Sequence, residues 1–189
     1  MNYEELTDIQ DKFSRCEPCE MNHSIGQGRL DAIGIIIVPR PVSLNKNFPS
    51  IYSSDSREMD VLSMIFSKVD LHIDDWYITS TVTCPNSSLT KQDVLDSNER
   101  LKRILYIVSP KIVVLCGPQS YFAFFGKFAN ASYGVVKCNN YEVFYNYDLT
   151  KYLKEKLEDP SQCQDTAKAM FQIWTKISKI SAQVRPVNL

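Results

Sequence analysis

Apolar residues along this chain follow two rhythms, and the changes between them outline the secondary structure. Continuous apolar runs stand in "DAIGIIIV", "DDWYITSTV" and "PKIVVLCG". Strands covered on both faces read this way, as in parallel sheets. Helical spacing takes over between them. Tyr3, Leu6, Ile9 and Phe13 predict a short helix over 3–13, and "SREMDVLSMIFSKV" predicts one over 56–69. "VLDSNERLKRILYIVS" predicts a helix ended by Pro110, and "PQSYFAFFGKF" a short helix after Gly117. "ASYGVVKCNNYEVFYNYD" reads as a turn and a hairpin-like pair of strands. Two helices close the chain, "LTKYLKEKL" and "CQDTAKAMFQIWTKISKI", the second with an apolar stripe of Ala167, Met170, Phe171, Trp174 and Ile177.

Strand and helix in alternation predict an α/β layer fold with a mostly parallel sheet. In such sheets the functional crevice lies beyond the carboxyl ends of the strands. Those ends fall at Pro39–Val42, Ser80–Cys84, Gly117 and Tyr147–Thr150. The first is abrupt: "IIIVPRPV" runs four β-branched residues into two prolines that flank Arg40.

Composition narrows the class. A chain of 189 residues, 44% hydrophobic and 23% charged, suits a single soluble globular domain over 1–189. No apolar run approaches the roughly 18 residues of a membrane span. "MNYEELTDIQDKF" is acidic and amphipathic rather than a secretion signal, so a cytoplasmic location is expected, with no membrane partner. The net charge of −1 argues against generic nucleic-acid binding. Its distribution is uneven, however. Residues 1–75 carry 7 Lys+Arg against 13 Asp+Glu, and residues 76–189 carry 14 against 9. That asymmetry allows one face that repels DNA and one that tolerates it; ordinary surface variation is an equal alternative. Six cysteines stand at 16, 19, 84, 116, 138 and 163, with Cys16 and Cys19 forming a C-x-x-C pair. Thiols or metal ligands are expected rather than disulfides.

The strand ends, taken in order, resemble the iron–sulfur uracil-DNA glycosylases over about residues 13–180. "CEPC" followed by "IGQGRLDAIGIIIV" is similar to that family's C-x-x-C, Gly-x-Gly and first strand. "WYITSTVTCPN" resembles its second strand, "SPKIVVLCGPQSYFAFFG" its third strand and following helix, and "ASYG…YEVFYNYDLTKYL" its last strand and turn. Trp174 stands where the closing helix normally carries a tryptophan. The resemblance implies a three-layer αβα sandwich around a central, mostly parallel four-stranded sheet. It also implies a pocket that receives a flipped base and cleaves its glycosidic bond.

At the three reactive corners this sequence departs from the family. Pro39 stands in place of an acidic side chain near the attacking water, and Val38 and Val42 in place of flanking glycines. Ser80 replaces an asparagine that reads the base edge and lacks its paired donor and acceptor. Asp148 replaces a histidine that stabilises charge on the departing base, and a carboxylate there would repel it. Each such group is commonly worth about two to four powers of ten in rate. A catalytically inactive glycosylase-like protein is therefore expected, acting as an accessory in replication or repair. DNA, or a replication or repair protein such as a DNA polymerase, is the expected partner, by analogy with the use of this fold as a polymerase accessory in some large DNA viruses. The composition is compatible with a phage or viral source. An active glycosylase of altered base preference, with Asp148 as a relocated acid, and a protein-only scaffold are the alternatives.

Candidate DNA contacts are Arg40, Lys46, Lys91, Lys127 and the amides after Gly117. The resemblance assigns Cys16, Cys19 and Cys84 to a [4Fe–4S] cluster whose fourth family position falls at Ser97. Three readings stay open: a cluster with an unusual fourth ligand such as Cys138 or Cys163, a zinc ion joined by His23, or packed thiols without metal. Cys116 is read as core and His72 as a surface residue.

Overall fold

The three apolar runs each hold a five-residue strand in which every residue is buried. The computed structural model describes residues 3–13, 15–16, 21–22, 24–42, 50–84, 90–128, 132–136, 138, 141–161 and 163–184. Helix α1 (Tyr3–Phe13) is followed by the two-residue strands β1 (Arg15–Cys16) and β2 (Met21–Asn22), which pair antiparallel. Strand β3 (Gly34–Val38), helix α2 (Arg57–Lys68) and strand β4 (Trp76–Ser80) come next. Then follow α3 (Lys91–Asp96), α4 (Asn98–Val108), β5 (Ile112–Cys116) and α5 (Gly117–Phe125). A hairpin of β6 (Gly134–Val136) and β7 (Glu142–Asn146) leads into α6 (Leu149–Glu158) and α7 (Cys163–Val184).

The main sheet has five strands in the order β4-β3-β5-β7-β6 rather than the four expected. Four of them are parallel, and β6 is an antiparallel edge paired with β7. The hairpin was legible as a pair of strands, and its short first arm supplies the fifth. Register is set by alternation within each strand. Ile36, Val38, Val114, Cys116 and Phe144 face α2, α6 and α7; Ile35, Ile37, Val113, Leu115 and Tyr145 face α1, α4 and α5. Two cores thus lie on either side of the sheet, giving three layers. Among the described residues no helix is long and apolar enough to cross a membrane.

Two local expectations need correction. The helix read over 94–109 begins earlier and is broken. Thr90 and Asp93 close a reciprocal capping box that starts α3, and Ser97 ends that helix while opening α4. The stripe on α7 also shifts. Met170, Trp174 and Ile177 are buried, but Phe171 is 38% exposed and Ile173 takes its place in the core. Trp174 packs with Phe66 at 5.1 Å and with Trp76 at 6.0 Å between ring centres. Truncating Trp174 to alanine is expected to lower the unfolding free energy by about 3–5 kcal/mol, whereas Phe171→Ala changes it by less than about 1 kcal/mol. Urea unfolding of the two variants measures the contrast.

Candidate functional site at the strand ends

Because four strands run parallel, their carboxyl ends gather along one edge of the sheet. Gly117 turns the chain from β5 into α5 at φ +83°, a conformation that favours glycine. A Cβ added there would lie 3.1 Å from the Asp148 Cβ and 3.5 Å from the Pro39 Cγ. Pro39 from the first strand end and Asp148 from the last therefore close over Gly117. Two of the three corner positions are brought together over Gly117, where no further side chain fits.

The third corner is sealed separately. Ser80 has 0% exposure, and its hydroxyl donates to the Val82 carbonyl at 2.6 Å. Pairing runs past the end of β4. The Thr81 amide donates to the Val38 carbonyl at 2.7 Å, and the Val82 amide to the Pro39 carbonyl at 3.2 Å. Arg100, from α4, is buried beneath this extension. Its guanidinium donates to the carbonyls of Ser80, Thr81 and Ile25 and to the Thr79 hydroxyl. Burial lowers its pKa to about 10, far enough above neutrality that the group stays charged. A serine in this setting has no free edge to offer a base.

Asp148 is the N-cap of α6, its carboxylate accepting from the Thr150 amide at 3.0 Å. Burial pushes its carboxyl up, with the Glu58 charge reinforcing it and the Thr150 and Lys151 amides and Arg40 opposing it. The expectation of a relocated catalytic acid meets a competing structural duty here. Three further polar groups sit at this edge and went unread in the sequence. Glu58 of α2 is 7% exposed. The Tyr52 hydroxyl and the Asn146 amide nitrogen are buried without a hydrogen-bond partner among the described residues. Burial, then the charges of Cys116, Asp148 and Glu58, raise the Tyr52 hydroxyl well above its ordinary value. Glu58 had a signal: it precedes Leu62 by four and Ile65 by seven, which puts it on the apolar face of α2.

The expected DNA contacts separate. Arg40 is half-buried beside Asp148, and Gly117 is buried beneath that carboxylate, a poor setting for an anion. Lys46 lies outside the described residues. Lys91 and Lys127 are both exposed. The Lys91 ammonium lies 5.9 Å from the centre of the Phe122 ring. Phe122 stacks on Phe128 at 4.7 Å, and Phe128, next to Lys127, is 62% exposed. Sequence reasoning found the two lysines and missed the ring beneath Lys91 and the exposed ring next to Lys127 in the chain.

The cysteines do not assemble a complete ligand set on the described residues. Cys16 contributes backbone to β1, while Cys19 and His23 lie outside the described residues. Cys84 is half-buried. Ser97 donates its hydroxyl to the Asp93 carbonyl at 3.0 Å. Cys138 packs against the core of α1, α4 and α5, whereas Cys163 is buried in the core on the opposite side of the sheet. The two alternative fourth ligands thus lie on opposite sides of the sheet. Among the described residues no three His, Cys, Asp or Glu side chains are placed to hold a metal ion. Cys116 is a core residue, and burial raises its thiol; His72 is exposed.

The Asp148 environment has a pH signature. A carboxyl whose pKa is higher folded than unfolded binds its proton more tightly in the folded state. Its contribution to stability therefore falls as pH rises from the ordinary carboxylate range through the raised value. Asp148→Asn keeps a capping oxygen and removes that slope, so the variant is expected to gain on the wild type as pH rises toward neutrality. Unfolding midpoints across that pH range measure the difference.

Neither a protein-family model nor a curated protein matches this chain, so the functional reading rests on the geometry of these strand ends and the surfaces beside them.

Proposed function

We propose that this protein is a catalytically inactive uracil-DNA glycosylase-like module that binds DNA in replication or repair, alongside a protein such as a DNA polymerase. The observation that carries the reading is the packing of Pro39 and Asp148 onto Gly117, 3.5 and 3.1 Å from where a side chain would begin. A base-excision pocket needs that space and needs free polar groups around it. Here the serine is spent on its own backbone and the carboxylate on a helix cap. What the crevice has lost, a neighbouring surface offers: Lys91 and Lys127 are exposed cations for phosphates, and Phe128, stacked on the buried Phe122, is an exposed ring for a base or sugar. The residues after 75, which carry both lysines, also hold the positive share of the charge. A [4Fe–4S] cluster or zinc ion at Cys16, Cys19 and Cys84 belongs to this reading only as an expectation of the resemblance. Visible absorption and metal analysis of anaerobically purified protein test it.

Mobility shift of a short duplex at low salt tests the binding reading. The wild type is expected to retain duplex, and the Lys91→Glu, Lys127→Glu double variant to bind about tenfold more weakly with a shallower salt dependence. No retention of any DNA would leave a protein-only scaffold.

One observation favours a second reading, an active glycosylase of altered base preference. Glu58 is a buried carboxylate near Asp148, and the Asn146 amide nitrogen, at the end of β7, has no partner among the described residues. Those are the two group types that base excision uses. Incubation with uracil-, hypoxanthine- and xanthine-containing oligonucleotides, followed by alkali, separates the readings. Intact strands are expected; breaks that disappear in Glu58→Gln or Asp148→Ala would establish the active enzyme instead.

A further inference from the structure

We propose that the cleft between the edge strand β6 and helix α7 binds one unpaired nucleobase together with an adjoining phosphate. The inference rests on the nucleic-acid reading above and deepens it, placing single-strand recognition away from the strand-end crevice. The cleft has a volume of about 430 Å³, within the range of small-ligand pockets.

One wall is a row of tyrosines created by strand pairing. Gly134 pairs with Tyr145 across the hairpin, which brings Tyr133 alongside the continuation of β7. Tyr133 stacks on Tyr147 at 3.8 Å and on Tyr145 at 4.4 Å between centres. Tyr121 closes the inner end, meeting Tyr145 edge-on at 5.0 Å. Tyr147 is the outer member. Its one ring partner among the described residues is Tyr133, and it borders the cleft. A base entering there extends the row by one ring, and such stacking tolerates any base because every base has a π-face.

The other wall is α7. Ala169, Gln172, Ile173 and Lys176 recur at i, i+3, i+4 and i+7, so they share one face of the helix. Gln172 and Lys176 are exposed. Neither has a hydrogen-bond or ion-pair partner among the described residues. Among the described residues no carboxylate lines the cleft. The chemistry is therefore directional: aromatic faces at one wall, an amide that can pair with a base edge, and an unopposed ammonium for a phosphate. Burial and the neighbouring Tyr133 raise the hydroxyls of Tyr145 and Tyr147. A base within a duplex is already stacked and paired, so the site selects single strands or free nucleotides.

The test is fluorescence anisotropy with a labelled ten-nucleotide thymidine strand, thymidine monophosphate as competitor, and a labelled duplex as reference. Lys176→Glu is expected to weaken single-strand binding about tenfold or more, and Tyr147→Leu similarly, while Tyr147→Phe retains it. Duplex affinity should stay within about twofold, since Lys91 and Lys127 serve it. A mononucleotide that competes at an affinity comparable to the strand's assigns a free nucleotide as ligand; a much tighter strand assigns single-stranded DNA. Single-strand binding unchanged in both Lys176→Glu and Tyr147→Leu would overturn the proposal and leave the duplex reading standing. Duplex binding with neither strand nor mononucleotide bound would overturn it as well. Single-strand binding without duplex binding would uphold the cleft and sink the Lys91 and Lys127 face.

Discussion

Gly117 leaves β5 at φ +83°, and the space its missing side chain vacates is taken by Pro39 and Asp148. That constraint organises the working edge of the sheet. The left-handed turn starts α5 directly at the strand end, so the helix and the first and last strand ends all meet at one residue. In a parallel sheet this is where a ligand normally enters. Here Pro39 and Asp148 take the space over Gly117, and the same carboxylate caps α6.

Arg100 does for the second strand end what Gly117 does for the third. A guanidinium buried without a carboxylate is costly unless carbonyls satisfy it. Those of Ile25, Ser80 and Thr81 do so, while its Nε remains without a partner. The result is an end of β4 held in place by a charge and sealed against solvent. The proposed binding surfaces lie outward from this edge. The Lys91–Phe122–Phe128 surface lies on the α3 and α5 side, and the tyrosine row lies at the sheet edge against α7.

The layer plan was legible because unbroken apolar runs such as "IIIV" and "IVVL" have one simple home, the inside of a parallel sheet. The fifth strand was harder, since Gly134–Val136 is too short to carry a periodic signal and depends on its partner β7. The break at Ser97 was hidden because hydrophobic spacing continues across it, and only the Thr90–Asp93 capping pair betrays the earlier start. At the site, Pro39, Ser80 and Asp148 could be read as strand-end residues, but their fates could not. That Ser80 turns to Val82 and that Asp148 caps a helix are consequences of burial and local geometry. Glu58, Tyr52 and Asn146 converge from three segments far apart in sequence, and no local pattern announces such a meeting.

The central claim is that the crevice at the strand ends is already occupied by the protein itself. Amide NMR of the folded chain titrated with free uracil tests it most directly. The account predicts that the Gly117 and Asp148 signals stay in place across the titration. Saturable movement of those two signals would show an open base pocket and contradict it.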